Sequence, residues 1–304
     1  MGTAGAGSVA VVVLTFRPPA GALEACVESV LRSGDAAAVY VVDNGRSLPA
    51  PPGGSTVDLL TPPRNLGYAG GMNLGLRQAT SQGASAVALL NDDTTVEPGW
   101  LAPLWHTLAA GVDERVGAVQ PKLLLAGTDP AQLNSVGVRW RGDGAGIDLG
   151  YGEVDRGQYP PGPTRLFTGG AVLLSTAFVD DTGGFDERYF MYYEDIDLAL
   201  RGHERGWCYR FEPASVVRHA VGATSKTMPE QRRYWQERNR LWCLFRHAGA
   251  AGVTQGLARS ALRLAKHPSA AQASAIARGL QGAPRMRRER RAARRAPNER
   301  SERQ

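Results

Sequence analysis

Ala86-Val87-Ala88-Leu89-Leu90-Asn91-Asp92-Asp93-Thr94-Thr95 runs from a wholly apolar segment straight into an amide and two carboxylates. A short apolar run bounded by polar residues reads as a strand buried on both faces of a sheet. Carboxylates are costly to bury unpaired, so two of them at the carboxyl end of such a strand face a crevice. In open α/β sheets that crevice is where ligands bind. Oxygen ligands suit hard divalent cations such as Mg²⁺ and Mn²⁺, which tend to arrive with a phosphate-bearing substrate. The plainer reading is a polar strand end that caps the next helix. It loses weight because a second acidic cluster, Glu194-Asp195-Ile196-Asp197, stands in an equally apolar context downstream.

Outward from this strand, the pattern repeats. Val9–Thr15 is an almost continuous β-branched run, the signature of a strand covered on both faces. After Pro18-Pro19, the spacing of Leu23, Cys26, Val27, Val30 and Leu31 gives one face of a helix that ends at Ser33-Gly34. Val39–Val42 predicts a second strand ending in Asp43-Asn44-Gly45, and Val57–Leu60 a third. Helices are expected over Gly71–Gln82 and Pro98–Ala110, the latter started by its proline, and a further strand over Val116–Gln120. Alternation of this kind argues for a mostly parallel central sheet with helices on both faces, and right-handed crossovers would put the strand ends on one side.

The regularity stops near Gly127. Residues 127–165 are rich in Gly, Pro, Asp and Arg, with short strand-like pieces near Val136–Trp140, and read as a loop and hairpin layer over the sheet. Gly169-Gly170 followed by Ala171–Leu174 restores a buried strand. Glu194–Gly206 predicts a helix, Cys208–Phe211 and Val216–Arg218 two short strands, the second ending at His219. Pro229–His247 is a helix carrying Tyr234, Trp235, Leu241, Trp242 and Phe245, and Val253–Leu280 is Ala-rich and helical, interrupted at Pro268. The expected organisation is a nucleotide-binding and catalytic domain over 1–228, a C-terminal helical region over 229–284, and a basic, disordered or conditionally helical tail over 285–304.

Charge supports the last division. The 304 residues carry a formal +6 and a pI near 9.5. From Arg285 onward there are nine arginines against three glutamates, an excess equal to the whole net charge. The body is formally neutral, so the high pI does not point to nucleic acid. The tail is either a solvated end or a contact for an anionic membrane face. Cys26, Cys208 and Cys243 have no metal-ligand spacing and read as reduced, buried thiols. The apolar stretch at Val9–Phe16 is too short to span a bilayer, Ala6 stands where a myristoylation signal needs Ser or Thr, and no run of about twenty apolar residues occurs. A cytoplasmic protein, peripheral at the inner membrane face at most, is the expectation.

Two asparagines and several glycines crowd Asn65-Leu66-Gly67-Tyr68-Ala69-Gly70-Gly71-Met72-Asn73 at a helix start, where backbone amides can approach a ligand. The glycine spacing fits neither a dinucleotide fingerprint nor a P-loop. Asp43 at its strand end is, taken alone, a turn former. Each feature is weak singly, but their order is specific: a strand ending in Asp43, then Asn65-x-Gly67-x-x-Gly70-Gly71-x-Asn73, Asn91-Asp92-Asp93, Gly169-Gly170, Glu194-Asp195-x-Asp197 and His219. The chain closely resembles the family 2 glycosyltransferases of the GT-A fold, in particular a rhamnosyltransferase-like branch, from about Val9 to Asn239. Leu90-Asn-Asp-Asp-Thr94, Thr168-Gly-Gly-Ala-Val-Leu-Leu174 and Tyr193-Glu-Asp-Ile-Asp-Leu198 carry it most specifically.

That resemblance implies an inverting transferase that moves a sugar from a nucleotide-diphosphate donor, dTDP-L-rhamnose or a UDP-sugar, to an acceptor hydroxyl with Mg²⁺ or Mn²⁺. It implies that Asp43 accepts from the base edge, that Asn65, Gly67, Gly71 and Asn73 line the nucleotide, and that Asp93, beside Asn91, belongs to the metal motif. Asp92 would touch the ribose or donor sugar. Asp195 would be the general base, with Glu194 the adjacent alternative. His219 matches a third metal ligand, although a satisfied histidine at a strand end is a serious rival. Gly169 and Gly170 would admit acceptor or donor sugar, with Trp207 beside the acceptor. Arg238 would approach the phosphates, although the aromatic stripe that carries it also fits core packing. The acceptor is a glycan, a lipid-linked glycan or a small molecule, and a homodimer is compatible with the sequence. A non-catalytic nucleotide-sugar-binding subunit is the alternative, against which stand the intact Asp93 and Asp195.

Overall fold

A computed structural model of the chain describes residues 8–221 and 228–295. The chain forms two compact units, residues 1–139 with 147–228, and residues 140–146 with 229–304. The expectations for Ala6 and the tail beyond Arg295 lie outside the described residues. No helix among the described residues is long and apolar enough to cross a membrane.

In the first unit, the chain passes through β1 (Val9–Thr15), α1 (Ala22–Ser33), β2 (Ala38–Asp43), β3 (Asp58–Leu60), α2 (Gly67–Ser81), β4 (Ala86–Asn91), β5 (Thr94–Val96), α3 (Leu101–Ala110) and β6 (Val116–Leu125). The layer follows as four short strands, β7 (Leu133–Ser135), β8 (Val138–Trp140), β9 (Gly146–Asp148) and β10 (Gly162–Thr164). Then come β11 (Ala171–Ser175), α4 (Thr176–Thr182), α5 (Glu194–Glu204) and β12 (Cys208–His219). The main sheet is ordered β10-β12-β6-β11-β4-β1-β2-β3, with β5 added to β12 and β7 to β6, while β8 and β9 pair separately. Its core of Val11, Val13, Val41, Ala88, Leu90, Val119 and Leu173 is fully buried, with Leu23, Val27, Trp100 and Leu104 packed on the same face.

The expected fold is present, a large and mostly parallel sheet with flanking helices and a helical C-terminal part. Strands β3, β2, β1 and β4 are mutually parallel, and so are β6 and β12. One expectation is corrected: β11 runs antiparallel to both β4 and β6, so not all carboxyl ends lie on one side. The consequence for function is favourable. An antiparallel strand brings its amino end, Gly169-Gly170, to the edge where β1, β2 and β4 end. Between β1 and β4 the connections also switch direction, the place where an open α/β sheet leaves a crevice.

Element boundaries move for identifiable reasons. Helix α2 begins at Gly67, not Gly71, so the glycine-rich segment is itself helical. Gly71 and Gly75 lie on one helix face against β1, where added Cβ atoms would come within 2.4 Å of Leu14 and 2.3 Å of Val12. Helix α3 starts at Leu101, after a turn that contains Pro98. The two short strands expected near residues 208 and 218 are one strand, β12, which has a register break between Glu212 and Val216.

The second unit contains α6 (Pro229–His247), α7 (Ala250–Lys266) and α8 (Ala270–Arg295). Leu241, Leu244, Phe245, Val253, Ala283 and Met286 form its apolar centre. Glu237, Arg240 and Ser260 make a buried polar knot, with Arg240 Nη2 2.7 Å from Glu237 Oε1 and 2.6 Å from Ser260 Oγ. The tail expected from residue 285 is not separate as far as Arg295: α8 runs through Pro284, and Met286 beyond it is buried.

Candidate active site

The edge of the sheet is assembled by register. Thr15 of β1 lies beside Asp43 of β2, and Leu14 beside Asn91 of β4. Past Asn91 the chain turns, and Asp92 points back into the protein. Its Oδ2 accepts from Thr15 Oγ1 at 2.6 Å, which locks the end of β4 to the end of β1. Burial pushes the Asp92 carboxyl up to about 6, against the pull of the Thr15 and Phe16 hydrogen bonds, and the charge of Asp93 adds to the rise.

Asp93 is set by the next strand. Thr94 of β5 pairs with His219 of β12, and Ala220 N donates to Asp93 O at 2.9 Å. Asp93 Oδ1 and His219 Nε2 are consequently 3.0 Å apart, both side chains largely buried. The other ring nitrogen, Nδ1, lies 2.8 Å from Asn134 Oδ1 on β7. Asn91 is half-buried, with its N–H donating to Gly170 O and its carbonyl accepting from Thr94 Oγ1.

The downstream acidic cluster resolves into three environments, because successive helical residues face different ways. Asp197 points inward, where Arg201 Nε donates to it at 2.8 Å and Tyr189 Oη at 3.1 Å. Glu194 is buried, and its Oε2 has no hydrogen-bond partner among the described residues. Burial, together with the charges of Asp195 and Asp197, drives its carboxyl well above the usual range. Asp195 is half-buried at the mouth. Its Oδ2 accepts from Gly169 N at 2.8 Å and its Oδ1 from Ile196 N at 2.8 Å. Burial lifts it to about 6, the two amide bonds oppose the rise, and the charge of Asp148 adds to it. Ahead of this helix, Phe190, Tyr192 and Tyr193 have φ of 66°, 70° and 71°, left-handed conformations that cost non-glycine residues about 1–3 kcal/mol each. Such strain persists where the surroundings dictate it, and here it aims the amino end of α5 at the edge.

The two glycines that precede β11 have specific neighbours. Gly169 O accepts from Tyr68 Oη, and a Cβ on Gly169 would stand 2.8 Å from that hydroxyl. A Cβ on Gly170 would stand 3.4 Å from His219 Cε1. Their bareness thus seats Tyr68, the Asp195 carboxylate and the His219 imidazole.

The Asn65–Asn73 segment behaves mostly as scaffold. Asn65 Oδ1 accepts from Gly67 N at 2.8 Å, and Gly67 (φ 70°) passes so close to Phe190 that a Cβ would lie 2.3 Å from its carbonyl oxygen. Asn73 is buried and bonds both main-chain polar groups of Phe185. Gly71 packs on β1 as described. Asp43 is fully buried, with Oδ1 accepting from Gly45 N at 3.0 Å and Oδ2 from Leu48 N at 2.8 Å, the bonds of a turn former. Each oxygen keeps a further lone pair.

One expected residue is not brought to this group. Trp207 precedes Cys208, which pairs with Val116 at the far end of β6. Its indole N–H donates to Asp181 at 2.7 Å and the ring packs on Phe178, so it is a core residue there. Arg238 belongs to α6 in the second unit, where its guanidinium lies over Trp242 and Nε donates to Asn239. The structure adds three residues to which the sequence gave no functional role. Asn44 spans Leu66 N and Gly67 O, joining the β2 turn to α2. Asn134 and Asp148 come from the layer over the sheet. Burial raises the Asp148 carboxyl, while a hydrogen bond from Ser135 and the charge of His219 lower it.

Among the described residues, no group of three or more His, Cys, Asp or Glu side chains is set to hold a metal. Asp93 and His219 are two donors. Ions of the magnesium type are held by one or two carboxylates plus substrate phosphates and water, so two protein donors fit a cation that enters with a diphosphate. His219 presents Nδ1 to Asn134 Oδ1 and Nε2 to Asp93 Oδ1, and with its proton on Nδ1 it would have Nε2 available to share a cation with Asp93.

Residues 6–238 match the family model described as "Glycosyltransferase like family 2". Over 202 residues, 62% of the chain, it is 29% identical to uncharacterized proteins of Mycobacterium bovis and Mycobacterium tuberculosis, and the match covers 65% of their length. A shorter stretch of 65 residues, 21% of each chain, is 38% identical to an N-acetylglucosaminyl-diphospho-decaprenol L-rhamnosyltransferase of Mycobacterium tuberculosis. Among solved structures, GalNAc-T7 with UDP, GalNAc and Mn²⁺ superposes with a TM-score of 0.61 at 14% identity, over 80% of this chain and 48% of that one. The mannosyltransferase PcManGT of Pyrobaculum calidifontis, in complex with GDP-Man and Mn²⁺, superposes with a TM-score of 0.50 at 17% identity, over 95% and 86%. At these identities the superpositions show a shared GT-A fold.

Proposed function

The chain belongs to glycosyltransferase-like family 2, and from that premise we propose that it transfers a sugar from a pyrimidine nucleoside-diphosphate donor to an acceptor hydroxyl, with inversion. The observation that carries the reading is the convergence on one sheet edge of the Asp93–His219 pair, fixed by the β5–β12 register, and of Asp195, fixed by Gly169 N.

Asp195 is the general base. Its carboxylate takes the proton of the acceptor hydroxyl while that oxygen bonds to the anomeric carbon. The bond from that carbon to the diphosphate breaks, and the nucleoside diphosphate leaves. Positioned base catalysis of this kind contributes roughly 10²–10⁴-fold. Glu194 is buried, which favours the protonated form of its carboxyl, and Asp195 is the more accessible of the two. Asp93 and His219 would hold a divalent cation, Mg²⁺ or Mn²⁺, whose charge offsets that of the leaving diphosphate. Both fold relatives carry Mn²⁺ and a nucleotide or nucleotide-sugar, which supports that choice. Asp43 has lone pairs left for the ring N–H of a uracil or thymine, and Asn65 and Asn91 border the donor. A dTDP-L-rhamnose donor is favoured over a UDP-sugar by the mycobacterial rhamnosyltransferase match. A lipid-linked glycan acceptor follows from the same relative, and the arginine-rich end of α8 suits an anionic membrane face at about 1 kcal/mol per basic residue near the surface.

The test is calorimetric binding of UDP, dTDP, GDP and ADP, each with and without Mn²⁺, to the wild-type chain and to Asp93→Ala. Metal-dependent binding of one pyrimidine diphosphate, lost in Asp93→Ala, is the expected outcome. Metal dependence that persists in Asp93→Ala removes Asp93 from the site.

A further inference from the structure

We infer that Asn134 is a positioning residue of the cation half-site, holding His219 in the one tautomer and ring orientation in which Nε2 can share a divalent cation with Asp93. The inference rests on the reading of Asp93 and His219 as the cation's protein ligands.

An imidazole binds a cation through an unprotonated nitrogen, so its single proton must sit on the other nitrogen and needs an acceptor there. Asn134 Oδ1, 2.8 Å from Nδ1, is that acceptor. It also decides between two ring orientations of similar shape. Rotating the imidazole by half a turn about its attachment bond exchanges Nδ1 with Cδ2 and Nε2 with Cε1. Asn134 would then face a C–H and Asp93 would face Cε1. The two orientations fill nearly the same space, so hydrogen bonding rather than packing chooses between them.

The acceptor is itself rigid. Asn134 is 7% exposed and sits mid-strand, between Leu133 and Ser135, which pair with Leu124 and Leu123 of β6. Leu133 exchanges hydrogen bonds with Glu153 O and Gly152 N on its other side. A ligand orienter held by backbone pairing on both sides is placed far better than one on a loop. The layer between β6 and β11 thereby becomes part of the donor half of the site.

The experiment measures Mn²⁺ affinity of the full chain by electron paramagnetic resonance, in the presence of UDP or dTDP, for wild type, Asn134→Leu and Asn134→Asp. Leucine keeps the branched shape and removes the acceptor, and the expected effect is a loss of about 10- to 100-fold in Mn²⁺ affinity. Aspartate restores an acceptor, and the expected result is wild-type affinity or better, a rescue that a merely structural role would not produce. Equal Mn²⁺ affinity in folded Asn134→Leu and wild type overturns the inference alone. Should Asn134→Leu fail to fold, the aspartate variant decides, and weakened affinity there overturns the inference. Absence of Mn²⁺ uptake by wild type with either nucleotide removes the metal reading itself, and this one with it, before any substitution is compared.

Discussion

Asp195 owes its value as a base to a conflict in its surroundings. Burial and the charge of Asp148 favour the proton, while Gly169 N and Ile196 N favour the carboxylate, and the balance falls near 6, above the ordinary aspartate range. Two consequences follow. Transfer should fall as pH drops through about 6, because the base becomes protonated, and a rate profile from pH 5 to 8 measures it. The folded state also binds this proton more tightly than the unfolded chain does, so stability is lost as pH rises from the ordinary aspartate value through about 6. Asp195→Asn should therefore abolish transfer, keep donor binding, and raise stability at pH 7 by about 1–3 kcal/mol. Denaturant unfolding of the variant at pH 5 and pH 7 checks it, since the gain should be larger at pH 7. Full activity in Asp195→Asn places the base elsewhere. Residues of this kind were legible in the sequence because acids inside apolar contexts need a reason. Asn134 was not, since an amide within a segment rich in Gly, Pro and Asp carries no such contrast, and only the β6–β7 register reveals what it faces. Trp207 illustrates the opposite error: an aromatic near the acidic helix in sequence lies at the other end of the sheet.

At the scale of the element, α2 shows why the glycine-rich stretch, read as a helix start open to a ligand, is already helical from Gly67. Each glycine costs a helix about 1 kcal/mol relative to alanine, so several together argue against one. What outweighs the cost is fit. Four helical residues rise about 6 Å and two strand residues about 6.6 Å, so Gly71 and Gly75 match Leu14 and Val12 across the helix–sheet contact. Without side chains at these positions the helix lies close on β1, and its first turn reaches Asn44 and Phe190. Gly75→Leu should therefore destabilise the first unit by about 1–3 kcal/mol through overpacking against Val12. Gly67→Ala should also destabilise it, because φ is 70° and the new methyl would meet the Phe190 carbonyl. Thermal unfolding of both variants is the measurement. An unchanged transition in Gly75→Leu would mean that α2 stands further from β1 than the contact distances require. The strands themselves were legible from β-branched runs, whereas the direction of β11 was not, since a short buried strand has the same composition whichever way it runs.

For the molecule as a whole, the mixed sheet accounts for the site, and the second unit shows where charge misleads. Nine arginines after residue 284 read as a solvated tail, because like charges repel and proline ends helices. Yet α8 continues to Arg295, with Met286 1% exposed in the apolar centre beside Leu241 and Phe245. Glu289 offsets part of the repulsion by pairing with Arg246 at 2.9 Å and Arg285 at 3.1 Å, and Arg287 lies over the Phe245 ring. The apolar spacing of Ala283 and Met286, not the net charge, decides the structure of this segment. Met286→Ala should consequently cost about 2–5 kcal/mol of the second unit's stability, in line with buried methionine truncations elsewhere. Removing everything after Pro284 should cost at least as much, since it takes Met286 and the Glu289 pairs together. Arg288→Gln, an exposed position on the same helix, should change stability little and serves as the control. Calorimetric unfolding distinguishes the cases. If the truncated chain unfolds like the intact one, residues 285–295 contribute nothing to the core, and the charge-based reading of a free tail is restored.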